Sequence, residues 1–140
     1  MRRRGARAER GAAAVEAALV ICFVLLPVIF GIITYGYMLS FRQSVSLAAS
    51  EGVRAAAVAP GAASPNRQAI AFEAIGNVMG TECNVGHLVC ETGTPVGCAS
   101  CLSVTVRYNY LADTSKPNFP GMGVVVPEQL TYTAVAEMTQ

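Results

Sequence analysis

Four cysteines, one histidine and a carboxylate beside an apolar run are the side chains of this chain best suited to chemistry. Cys83, Cys90, Cys98 and Cys101 fall within nineteen positions, whereas Cys22 stands alone inside the apolar run. An even set of cysteines at this density in a small domain reads as two disulfides, which compensate for a modest core outside the reducing cytoplasm. Four cysteines allow three pairings, and their spacing does not choose among them. Two other chemistries use the same residues. Zinc binding would recruit His87 as an extra ligand, and Cys98-Ala99-Ser100-Cys101 has the C-x-x-C form of a redox motif but no surrounding βαβ pattern. Structural disulfides are the preferred reading. His87 is then a surface-loop residue, Cys22 a small packing residue, and no metal or cofactor is implied.

The second feature is Glu16, in the stretch "ERGAAAVEAALV". A carboxylate at bilayer depth costs roughly 2.5 to 3.5 kcal/mol even on lenient insertion scales, so an acid at the doorway of a membrane segment needs a use. The plain alternative is a juxtamembrane charge that reaches back to the interface. Catalysis is not that use. The other acidic residues are scattered, and neither a Gly-rich phosphate loop nor a nucleophile elbow is present, so no enzyme activity and no small-molecule substrate are expected.

The element that positions Glu16 is the uncharged run Ala17 to Phe41. As a helix its 25 residues extend about 38 Å, enough to cross a hydrocarbon core of ~30 Å. Arg2, Arg3, Arg4, Arg7 and Arg10 precede it against a single acid, Glu9. The positive-inside rule therefore predicts a cytoplasmic N-terminus and an exported C-terminal portion. From Gln43 onward four basic residues face seven acidic ones. The arginines lack aromatic interleaving and abut a span, which argues against nucleic-acid binding. A cleaved secretory signal fits poorly, because the run exceeds the ~7 to 15 residues of such h-regions and the nearest A-x-A, Ala55 to Ala57, lies far beyond it.

Past the span, "RQSVSLAASEGVRAAAV" keeps apolar residues at mostly helical spacing, so the helix is expected to continue to Val58. "APGAASP" breaks it. Ser64 and Pro65 then open a short second helix carrying Ile70, Phe72, Ala74, Ile75 and Val78, which Gly80 ends. Residues 81–101 form a turn-rich, cysteine-rich segment. "LSVTVRYNYL" and "LTYTAVAEM" alternate as two strands, with "GVVVP" in the intervening loop as a candidate third. Leu102, Val104, Val106, Tyr108 and Tyr110 share one strand face, which must be buried against a helix. The expected fold class is α+β: a long N-terminal transmembrane helix, a second short helix and a small antiparallel β-sheet. The expected divisions are a basic leader over 1–11, the span and its extension over 12–58, and an exported domain over 59–140.

Gly11 followed by four small or apolar residues and Glu16 resembles the processing site of type IV prepilins. Together with "FGIITYG" and "RQSVSLAASEGVRAAAV", the stretch resembles the N-terminal signature of the TadE family, pilin-like proteins of the tight-adherence (Flp) pilus. The resemblance implies a pilin-like fold and cleavage between Gly11 and Ala12 by a prepilin peptidase. It also implies that Glu16, fifth in the mature chain, serves processing or assembly. The implied function is that of a minor pilin or pseudopilin in the bacterial cytoplasmic membrane, destined for the pilus or cell surface. Its implied partners are the membrane, prepilin peptidase, other pilins or pseudopilins, and inner-membrane pilus assembly proteins. Two alternatives are an unprocessed single-pass anchor with an exported interaction domain and a secreted disulfide-rich binding module.

Overall fold

The computed structural model describes residues 5–59, 64–116 and 127–138, with side chains from residue 11 onward and excepting Ser64. The first helix, α1, covers Gly5–Val20 and leads through a π-helical turn, Ile21–Leu25, into α2, Leu26–Ala57. Pro27 accounts for the turn. Proline lacks an N–H, and its ring collides with the carbonyl four residues back, so a regular ladder cannot pass through it. The chain widens instead, and the Leu26 N–H bonds to the Ile21 carbonyl, five residues back.

Contacts divide the chain into two units, Met1–Tyr37 and Met38–Gln140. Within the first unit, residues 11–33 are exposed throughout, including Val15, Leu19, Phe23, Val24, Ile32 and Ile33. A helix apolar all round is at home in lipid. The Gly11–Ala57 helix reaches a mean hydropathy of 2.8 in its most apolar window, long and apolar enough to cross a membrane.

The second unit contains the core. α3 covers Ser64–Met79, and three strands follow: β1 Leu88–Gly93, β2 Cys101–Asn109 and β3 Gln129–Glu137. They form one antiparallel sheet in the order β1-β2-β3. Val45, Ala48, Ala49, Val53 and Ala56 of α2 meet Ala71 and Ile75 of α3 and the inward residues Leu88, Cys90, Val104, Val106, Tyr108 and Leu130 of the sheet. The small residues on α2 set the helix spacing. A Cβ added to Gly52 would lie 2.7 Å from Ile75 Cγ1 and 3.2 Å from the Ala71 carbonyl oxygen, closer than packed atoms tolerate. Arg67 of α3 donates to the Ala56 carbonyl at 3.2 Å, occupying an acceptor that the end of α2 leaves unpaired. Gly80 stops α3 with φ of +70°, a conformation that a Cβ disfavours, while its N–H bonds to the Gly76 carbonyl at 2.8 Å.

The α+β architecture, the continuation of the apolar helix beyond Phe41, the second helix and the β2 and β3 strands match expectation. The candidate strand "GVVVP" falls on residues of which 123–126 lie outside the described residues, as do the side chain of Ser64 and its expected capping contact; the sheet's third described strand is one that the sequence did not signal. It is Leu88–Gly93, inside the segment read as turns. Only Leu88 and Cys90 of that strand are buried with a single exposed Val89 between them, too short an alternation to separate from its Gly-rich surroundings.

Candidate functional site

Gly11, Ala12 and Glu16 all lie on α1, and all three are exposed. A Cβ at Gly11 would meet nothing within 4 Å, so the fold itself imposes no need for glycine there. Ala12 and Glu16 are one helical turn apart and share a face, which brings a group at residue 12 within reach of the Glu16 carboxylate. Glu16 is the sole acid described between Gly11 and Tyr37.

The four cysteines lie in the second unit. Cys83 is bonded to Cys90, with Cα atoms 5.5 Å apart, and Cys98 to Cys101, at 5.3 Å. The first bridge ties the loop after α3 to β1, and Cys90 is 4% exposed within the core. Asn84 reinforces it: its side-chain oxygen accepts the Cys90 N–H at 3.1 Å, from a left-handed backbone that asparagine adopts readily. The second bridge closes a four-residue turn at the foot of β2. Ser100 lies 3.7 Å from Cys98 Sγ. His87 rests edge-on near Tyr108, its ring centroid 6.5 Å away. Among the described residues, no three His, Cys, Asp or Glu side chains converge on a point that would hold a metal ion. Cys22 is exposed on the apolar helix.

A polar cluster unforeseen in the sequence fastens the loop after β2. Asp113, 8% exposed, accepts the Tyr108 hydroxyl and, at its other oxygen, the Ser115 hydroxyl at 2.6 Å and N–H at 2.9 Å. The Ser115 and Tyr108 hydrogen bonds hold its pKa down at about 2 against the opposing effect of burial, with Lys116 adding a smaller favourable charge. Lys116 in turn places its ammonium 5.0 Å from the centre of the Phe41 ring, and Phe41 packs edge-on against Tyr108 at 4.7 Å. This cluster joins α2 to the sheet. Its only sequence signal is Asp113-Thr114-Ser115, a spacing at which an aspartate closes a turn on its own backbone.

Among the described residues, one apolar helix is long enough to cross a membrane, and it runs into a small, disulfide-tied α+β unit. Residues 11–54 match the family model of TadE-like protein, the family whose signature the sequence resembles. The match begins at Gly11, contains Glu16 and ends short of α3 and the sheet. No curated protein and no solved structure matches the chain.

Proposed function

We propose that this protein is a minor pilin or pseudopilin of a tight-adherence pilus, cut between Gly11 and Ala12 by a prepilin peptidase and acting through assembly. The carrying observation is the placement of Gly11, Ala12 and Glu16 at the head of the apolar helix, where the family match begins. The arginine-rich residues before Gly11 stay cytoplasmic and are removed as a leader. The apolar helix anchors the mature chain in the cytoplasmic membrane, and the disulfide-tied unit is exported. Cleavage creates an ammonium at Ala12 within one turn of Glu16, either in the same chain or in a neighbouring subunit. At about 4 Å the two charges attract by roughly 4 kcal/mol at an effective dielectric of 20, before desolvation is subtracted, enough for one contact to govern partner choice.

Glu16→Gln tests this use of the charge. The variant removes the charge with little change in size, so membrane insertion and the fold of the second unit stay intact. Crosslinking to pilus-system partners and the count of surface pili should fall. Wild-type complexes and wild-type piliation in that strain would make Glu16 a tolerated interfacial charge. A second reading, a permanently anchored protein that keeps its leader, draws on one observation: the Gly11–Ala12 peptide lies inside α1, so a protease must first unwind a turn there.

A further inference from the structure

The two edges of the sheet are treated differently. Ladder bonds from Asn109 N–H to the His87 carbonyl, at 3.0 Å, fix the odd residues of β1 as those facing β2. The even residues then point to the free edge, and that edge is covered. The Leu88 N–H bonds to the Val85 carbonyl at 3.4 Å, the Cys90 N–H bonds to Asn84, and the Cys83–Cys90 bridge fastens the covering loop in place.

At the opposite side, Tyr110 N–H bonds to the Glu128 carbonyl at 3.1 Å and Met138 N–H to the Ser100 carbonyl at 2.8 Å. The even residues of β3 therefore face β2, and Gln129, Thr131, Thr133, Val135 and Glu137 direct their N–H and C=O groups outward. Among the described residues nothing takes them up. The strand is nine residues long and has no Pro, Lys or bulge, the usual devices that keep an edge from pairing. A groove runs beside it between α2 and β3, where Leu39 is 39%, Leu47 53% and Tyr132 42% exposed. Arg42 lines the helix side of this groove, and Glu137, exposed at the far end of β3, has no ion partner among the described residues.

We propose that β3 is a docking edge that accepts an extended, antiparallel strand from a different protein chain by β-strand addition. The occupant chemistry follows from the two sides of the pleat. Side chains facing the groove are apolar, covering Leu39, Leu47 and Tyr132. Those on the other face are β-branched and polar beside Thr131, Thr133 and Val135, and the residue opposite Glu137 is basic. A second copy does not fit as the occupant: the edge of its β1 is covered, and its β3, Gln129–Glu137, carries no basic residue to meet Glu137. The inference does not depend on cleavage at Gly11.

The test uses the full chain in nanodiscs and a fluorescent, end-blocked peptide, Lys-Val-Thr-Val-Thr-Val-Thr-Val-Thr, whose lysine falls opposite Glu137 in antiparallel register. Saturable binding is expected. Thr133→Pro should weaken it at least tenfold, because the ring removes an outward N–H and blocks the edge without taking a ladder bond from β2. Thr133→Val, which loses the same hydroxyl contact to Thr105 but keeps the N–H, should bind like wild type. Should Thr133→Pro misfold, methylation of the peptide itself decides: an N-methyl on its central threonine should abolish binding, and one on the adjacent valine should not. A glutamate in place of the peptide lysine should weaken binding several-fold at low salt. Binding indifferent to Thr133→Pro and to the position of the N-methyl group would overturn the proposal. So would efficient disulfide linkage of two Thr133→Cys chains in one nanodisc, which would make the occupant a second copy.

Discussion

Gly52→Ala is a small change with opposed consequences whose sign the structure decides. In a helix interior alanine is favoured over glycine by about 1 kcal/mol. At this position, however, the added methyl would stand 2.7 and 2.9 Å from two carbons of Ile75 and 3.2 Å from the Ala71 carbonyl oxygen. Ile75 is fully buried, so its side chain has nowhere to retreat, and the carbonyl belongs to α3 itself. Overpacking of this kind costs roughly 1 to 3 kcal/mol, so the middle of that range leaves a net loss of about 1 kcal/mol. For a unit of this size that lowers the melting temperature by about 4 to 8 °C. Thermal unfolding of the detergent-solubilised chain, followed by circular dichroism, reads the change. Ile75→Val, which removes the outer carbon, should reduce the penalty of Gly52→Ala when the two are combined. Gly76→Ala is the control, because its nearest neighbour would be at 3.5 Å and the propensity gain should prevail. A melting temperature for Gly52→Ala equal to or above wild type would refute the close approach of α2 and α3.

Asp113 gives a pH dependence. Its lowered pKa means that its contribution is complete above the ordinary value of 3.8 and is lost as pH falls toward about 2. Asp113→Asn should therefore cost about 2 kcal/mol near neutral pH and flatten the acid limb of a stability profile between those values, whereas an unchanged limb would remove Asp113 from the account. The two disulfides close loops of eight and four residues, and loop-closure entropy assigns them about 2.5 and about 2 kcal/mol. Cys90→Ser should be the more damaging change because it also places a hydroxyl in the core, and protease sensitivity should rank it above Cys98→Ser. Non-reducing peptide mapping should recover Cys83 with Cys90 and Cys98 with Cys101, and a crossed pairing would overturn the loop geometry.

Much of this fold is readable in the chain because its signals are periodic. The apolar run is too long for a soluble helix of ordinary length, and Val104, Val106 and Tyr108 alternate over a strand long enough to show it. β1 escapes because its identity comes from tertiary pairing: its odd residues bond to β2 on one side, while Asn84 and a disulfide hold Cys90 on the other. Disulfide pairing was open in the sequence for a related reason, since chain proximity after folding decides it. At the site, Gly11 and Glu16 stand out because glycine has no packing role there and a carboxylate has no ordinary reason to adjoin lipid. The Tyr108–Asp113–Ser115 cluster was hidden because a buried aspartate in a loop is indistinguishable in sequence from a solvated one. The edge of β3, open among the described residues, becomes visible only when the ladder shows which backbone groups face outward.

The central claim is that this chain is a processed, pilin-like subunit, and the mass of its N-terminus tests it most directly. Coexpressed with the prepilin peptidase of its own pilus system and extracted from membranes, the protein should lack residues 1–11 and begin at Ala12. A bulky substitution at Gly11 should restore the leader while leaving membrane insertion intact. A chain that still begins at Met1 or Arg2 in the presence of active peptidase would contradict the claim and leave a permanently anchored protein in its place.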